Sequence, residues 1–186
     1  MVFFMALLLA TAIGCGTSED QMNEPPSQLQ AAETPYGSEP EISAYLQAVN
    51  PYIRLVGELQ LEVERARSTS GKATGKNLSE MMEQVRPRLE EALGLLEKIE
   101  PPPVLAPLHR DIKKLIIVRL DAYRMTIAGW HKEQEDEDSD MSLYKGAETK
   151  LAEANQIIQQ LNEDLKKINA SLQIARNVNQ ETPAAQ

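Results

Sequence analysis

Toward its end the chain carries the pattern that most constrains the fold, because apolar residues recur there at alternating intervals of four and three. The positions are Ala147, Leu151, Ala154, Ile158, Leu161, Leu165, Ile168, Leu172 and Ala175. This spacing puts them on one face of an α-helix, and its repeat of seven is typical of helices that pack side by side. The flanking residues are mainly Glu, Gln, Asn and Lys. The pattern therefore predicts a long helix with one buried and one solvated face.

Three earlier stretches show helical spacing as well, and the third has the widest apolar face. Their apolar positions are Ile42, Leu46, Val49, Ile53, Val56, Leu59, Val63 and Ala66, then Leu78, Met81, Val85, Leu89, Ala92, Leu96 and Ile99, then Leu105, Leu108, Ile112, Leu115, Ile116, Leu120, Tyr123, Ile127 and Trp130. Pro51 and Pro87 fall inside the first two stretches and predict kinks there. We expect the third helix to lie deepest in the core.

Breaks in composition separate these four stretches. Residues 68–75 have loop composition, three consecutive prolines end at Pro103, and an acidic segment covers residues 133–140. Short connections between amphipathic helices favour antiparallel neighbours. The sequence thus predicts an all-α fold, an antiparallel up-down-up-down four-helix bundle with coiled-coil-like packing over residues 38–176, followed by a disordered tail at 177–186. The alternative is a coiled-coil homodimer through the fourth helix.

The N-terminal residues 1–13 form an uncharged apolar run, and Gly14 and Cys15 follow directly after it. A run of this length is too short for a helix to cross a bilayer, but it suits the apolar region of an export signal. The four residues Ala12-Ile13-Gly14-Cys15 resemble the lipobox of bacterial lipoprotein signal peptides. This resemblance covers only the first 15 residues.

The resemblance implies a signal peptide at residues 1–14, with cleavage between Gly14 and Cys15. It also implies that Cys15 carries a diacylglyceryl group and becomes the new N-terminus. The protein would then be anchored by lipid on the extracytoplasmic side, in the outer membrane or on the outer face of the cytoplasmic membrane. Beyond this signal, the chain resembles small helical bacterial lipoproteins.

Residues 15–37 are expected to form the lipidated Cys15 and a disordered tether. The segment after Cys15 is rich in Pro, Ser, Thr, Gln and Glu and has no apolar periodicity. Such a segment buries too little apolar surface to offset its chain entropy. As a flexible chain it would span roughly 25 Å. We therefore expect it to hold the bundle clear of the lipid headgroups.

Charge and composition exclude several classes of partner and site. The formal charge of −9 argues against nucleic-acid binding, which requires clustered Lys and Arg. His109 and His131 both lack the Glu three residues earlier that di-iron bundles use, and they lie roughly 33 Å apart along one helix. His109 is expected to be a boundary residue of the helix start. We expect no cofactor, no catalytic residues and no enzyme activity.

The acidic segment holds the one local charge cluster. Asp136, Asp138 and Asp140 match the first ligand positions of a helix-flanked calcium loop, but Met141 replaces the glycine that the turn requires. We expect a solvated acidic loop that aids solubility. A weak surface cation site on the three aspartates is the alternative.

The favoured function is that of a binding or accessory factor for another envelope protein, contacted through a groove of the bundle or through the tether. One alternative is a sensor or carrier of a small ligand, with a cavity opened by Pro51 and Pro87. A pocket lined by Tyr45, Tyr52 or Tyr123 would favour the carrier, and a closed core the accessory factor. An envelope enzyme would need convergent polar side chains in a cleft.

Overall fold

The computed structural model describes residues 33–69, 75–135 and 141–181. Two short strands, β1 (Glu33–Thr34) and β2 (Gly37–Ser38), precede four helices. The helices are α1 (Glu39–Thr69), α2 (Gly75–Leu96), α3 (Ala106–Glu135) and α4 (Ser142–Glu181), and a single 3-10 turn (Pro103–Leu105) leads into α3. The four helices pack against one another, so the predicted all-α helical bundle is confirmed.

Interhelical contacts give the direction of each helix. Three side-chain contacts link α2 and the residue after it to α3, and successive contacts move forward along α2 but backward along α3: Glu83–His131, Glu90–Arg124 and Glu97–Lys113. Between α3 and α4, Lys114 pairs with Glu153, while Gly129 lies against Tyr144. Neighbouring helices along the chain are therefore antiparallel, as predicted.

The diagonal helices α1 and α3 run parallel. Tyr45 of α1 contacts His109 of α3, and further along both helices Gln60 contacts Arg119. Both contacts advance in the same direction, which is the relation expected in an up-down-up-down bundle.

The core centres on α3, as its wide apolar face predicted. Its fully buried apolar residues include Ile112, Ile116, Leu120, Ala122 and Tyr123. Each buried Leu or Ile contributes roughly 1.5–3 kcal/mol relative to an exposed one. The bundle is therefore held mainly by the apolar faces that α1, α2 and α4 turn toward α3.

Burial along α4 follows the predicted repeat of seven. Ala147, Ala154, Leu161, Ile168 and Ala175 are buried. In the second row of the same repeat, Leu151, Ile158 and Leu165 are half-buried, whereas Leu172 is buried. The first row is buried throughout, whereas the second row only packs against the core over most of its length.

Two boundaries differ from the sequence-based prediction. Residues 33–38 lie in a small antiparallel hairpin, although 15–37 were predicted to be a disordered tether. Within it, the Thr34 hydroxyl donates to the Gly37 carbonyl and accepts from the Tyr36 N–H, while Gly37 has a φ of 114°, which favours glycine. The hairpin packs against α1 and α4, so residues 33–37 of the predicted tether belong to the folded bundle.

The second difference is at the other end of the chain. The bundle was predicted to end at residue 176 and a disordered tail to occupy 177–186, but α4 continues to Glu181. Periodicity indicated an end where the apolar positions stop, yet a helix with one packed face extends past its last buried residue. Residues 182–186 lie outside the described residues.

Pro51 and Pro87 both lie inside continuous helices. Each proline is on an exposed face, where water can satisfy the carbonyl that loses its helical hydrogen bond. Ser38 lies in β2, and the first helix begins at Glu39.

Candidate functional site

The residues singled out for lipid attachment and cation binding lie outside the described residues. These are Gly14 and Cys15 of the signal, and Asp136, Asp138 and Asp140 of the acidic segment. The expectations for them therefore remain predictions from sequence.

Acidic, histidine and cysteine side chains are the candidate ligands for a metal ion. Within residues 33–69, 75–135 and 141–181, no group of three or more such residues is arranged to hold an ion. His131 is largely exposed, and its Nε2 lies 3.4 Å from a carboxylate oxygen of Glu83.

His109 is buried and not the boundary residue that the sequence predicted. It is only 7% exposed, and its Nδ1 lies 3.2 Å from the hydroxyl of Tyr45. Burial raises the pKa of Tyr45 to about 12, so the hydroxyl stays protonated and shares a hydrogen bond with Nδ1. Burial, and to a lesser degree Lys113, lowers the pKa of His109. The pair is therefore a neutral link between α1 and α3.

A surface groove lies between α1 and α2, beside Pro51. It encloses about 470 Å³ and opens widely to solvent. We call it the α1–α2 groove, and its lining residues are Asn50, Pro51, Tyr52, Arg54, Leu55, Glu58, Arg88, Glu91, Ala92 and Leu95. Of the three tyrosines proposed as pocket residues, Tyr52 lines this groove. Tyr45 and Tyr123 are buried in the core.

The α1–α2 groove has apolar centre residues and a charged rim. Leu95 is 41% exposed, and half-buried Leu55 and Tyr52 lie opposite it across the groove. On the rim, Arg54 lies 3.6 Å from Glu58.

A second rim contact spans the two helices. Arg88 of α2 donates through one nitrogen to both carboxylate oxygens of Glu62 of α1, at 3.1 and 2.9 Å. Exposed pairs of this kind contribute little to stability, about 0–1 kcal/mol.

Arg119 is a buried charged residue that the sequence analysis missed. It lies in the middle of α3, only 3% exposed, and its guanidinium donates to the side-chain oxygen of Gln60. Periodicity arguments select apolar residues, so a buried arginine is invisible to them. Its only signal in the sequence is its position, three residues after Ile116 and four before Tyr123 on the buried face.

None of the helices in the described part of the chain is both long and apolar enough to cross a membrane. Comparisons of the chain with protein-family models, with curated proteins and with solved structures found no match.

Proposed function

We propose that this protein is a lipid-anchored, extracytoplasmic accessory factor that binds another protein of the cell envelope through the α1–α2 groove. The observation that carries the proposal is the groove itself, an open depression with exposed Leu95 at its centre and charged residues on its rim. Protein interfaces have this arrangement of an apolar centre inside a polar rim. The role is binding and not catalysis.

The partner segment that fits such a groove is an amphipathic helix. Grooves between two helices accept apolar side chains spaced along one face of a third helix. Leu55 and Leu95 would contact those side chains, while Arg54 and Arg88 would lie within reach of acidic residues beside them.

The proposed location rests on the lipobox-like residues that end at Cys15. Two acyl chains give stable membrane anchoring, whereas one gives only marginal binding. The anchor would hold the protein in the outer membrane or on the outer face of the cytoplasmic membrane. The bundle helices use their apolar faces for packing, which leaves the anchor as the source of membrane attachment.

A small-ligand carrier is the second candidate, and the observation that favours it is Tyr52 on the wall of the groove beside Pro51. Sites for small ligands usually bury most of the ligand surface. The α1–α2 groove is open along its length, which favours a protein segment over an enclosed small molecule.

Site-specific photo-crosslinking in cells tests the docking proposal. A photoreactive residue at Leu95 should give a discrete adduct with one envelope protein. Ile117 is the matched control, because it is 42% exposed, like Leu95 at 41%, and lies on α3 away from the groove. Leu55→Glu should abolish the Leu95 adduct. Equal adducts from both positions would contradict the proposal.

A separate experiment tests the anchor. The wild-type protein should incorporate labelled palmitate and partition into detergent on phase separation. Cys15→Ser should abolish the label and leave an uncleaved precursor or a water-soluble exported form. Wild-type protein that stays aqueous and unlabelled, with Met1 intact, would overturn the lipid anchor without bearing on the groove.

A further inference from the structure

The α1–α2 groove has four charged lining residues, and three of them already form ion pairs within this chain. Arg54 pairs with Glu58, and Arg88 pairs with Glu62 beside the groove. Glu91 is the fourth, and its carboxylate forms no ion pair or hydrogen bond with the residues that the structure describes. The charge that the groove leaves open is therefore negative.

Glu91 is exposed and lies next to the apolar centre of the groove. Leu95 follows it by four positions on α2, so the two side chains are neighbours on one face of the helix. Gly94 has no side chain, and no atom lies within 4 Å of the position a Cβ would take there. A segment that covers Leu95 would therefore also lie close to the Glu91 carboxylate.

The cation nearest to Glu91 along α2 is committed elsewhere. Arg88 precedes Glu91 by three positions, a spacing at which the two could pair. It instead donates to both carboxylate oxygens of Glu62, at 3.1 and 2.9 Å. With Glu62 included, the groove and its rim hold three carboxylates and two guanidinium groups, a net charge of −1. The whole chain has a formal charge of −9, so both the local and the overall field favour a cationic partner.

We propose that the segment that docks in the α1–α2 groove is a basic amphipathic helix, whose apolar face covers Leu95 and whose Lys or Arg side chain pairs with Glu91. The inference rests on the proposed docking function and adds the sign of the partner's charge. Arg54 and Arg88 already have carboxylates of this chain beside them. Docking therefore gains more from a basic residue at Glu91 than from acidic residues near those two arginines.

Photo-crosslinking from Leu95 in cells, combined with charge changes at Glu91, tests this sign. Glu91→Lys should lower the yield of the Leu95 adduct about fivefold or more, and the neutral Glu91→Gln should lower it less. Glu163→Lys is the matched control, because Glu163 is also exposed and has no ion pair with the described residues, but lies on α4. It changes the net charge equally and should leave the adduct yield unchanged. Circular dichroism establishes that each variant is folded.

Mass spectrometry of the Leu95 adduct identifies the bound segment. This segment should be amphipathic, with a Lys or Arg within about four residues of the crosslinked position. Replacing that basic residue by Glu should weaken the adduct with the wild type and restore it with Glu91→Lys. A merely structural role of Glu91 would not produce such an exchange.

The outcomes separate this inference from the docking proposal. An adduct that persists in Glu91→Lys, or that falls equally in Glu163→Lys, overturns the basic partner and leaves the docking in place. A bound segment without Lys or Arg near the crosslinked position does the same. An adduct between two copies of this chain would assign the groove to a homodimer and overturn both proposals, as would the absence of any adduct at Leu95.

Discussion

The Tyr45 hydroxyl and the Nδ1 atom of His109 lie 3.2 Å apart inside the core and join α1 to α3 across the diagonal of the bundle. Tyr45 is itself buried, so water does not replace either partner. This contact makes the stability of the bundle depend on the protonation state of one histidine.

Stability should fall as the pH is lowered through about 6.5, the ordinary pKa of histidine. Burial lowers the pKa of His109 in the folded state, so the unfolded chain binds the proton more readily over this range. Urea unfolding at pH 7.5, 6.5 and 5.5 measures the effect. The dependence should persist in His131→Gln and disappear in His109→Gln; if it survives in His109→Gln, another group is responsible.

Tyr45→Phe should lower the free energy of unfolding by about 1–2 kcal/mol at pH 7.5. The substitution keeps the ring in place and leaves the buried Nδ1 without its hydrogen-bond partner, which costs the desolvation of that nitrogen. Tyr52→Phe, on the wall of the α1–α2 groove, should change the free energy by less than about 0.5 kcal/mol. Equal effects of the two substitutions would show that the hydrogen bond to His109 contributes nothing.

Leu161→Asp should destabilise the bundle by about 3 kcal/mol or more, because it places an unpaired carboxylate in the core row of α4. Leu161 is 3% exposed. Ile174→Asp tests the same type of change on the same helix at a residue that is 65% exposed, and we expect it to stay within about 0.5 kcal/mol of the wild type. Thermal melts followed by circular dichroism compare the two. If Leu161→Asp melts like the wild type, the row of α4 that contains it is not core.

Two helical glycines should respond in opposite directions to alanine. No atom lies within 4 Å of the position a Cβ would take at Gly94, and alanine there should stabilise the protein by about 0.5–1 kcal/mol. At Gly129 the same carbon would lie 3.1–3.3 Å from three ring carbons of Tyr144. That ring packs α4 against α3, so Gly129→Ala should be less stable than the wild type. Chemical denaturation measures both, and a stabilised Gly129→Ala would mean that the ring moves freely.

The helices of the bundle could be predicted because burial of apolar residues imposes their spacing. Leu161 and Ile168 of α4 are buried where the repeat of seven placed them, and Tyr123 is buried on the wide face of α3. The direction of each helix followed from the short connections. These features depend on local pattern alone, so one sequence was sufficient to predict them.

The candidate sites could not be predicted in the same way. His109 and Arg119 are polar, and only the position of their neighbours in space shows that the core encloses them. The hairpin of residues 33–38 has strands of two residues each, too short for any alternation to be recognised. The α1–α2 groove depends on how two helices sit side by side, which periodicity within one helix does not contain.

The hairpin and the Glu39–Arg176 contact bring the beginning of α1 and the end of α4 to the same end of the bundle. Thr69 at the end of α1 and Glu135 at the end of α3 lie at the opposite end, since α3 is 30 residues long, or about 45 Å. The bundle is therefore also a rigid spacer of fixed length. A label at either of these far helix ends would therefore report on what the molecule reaches about 45 Å from the hairpin.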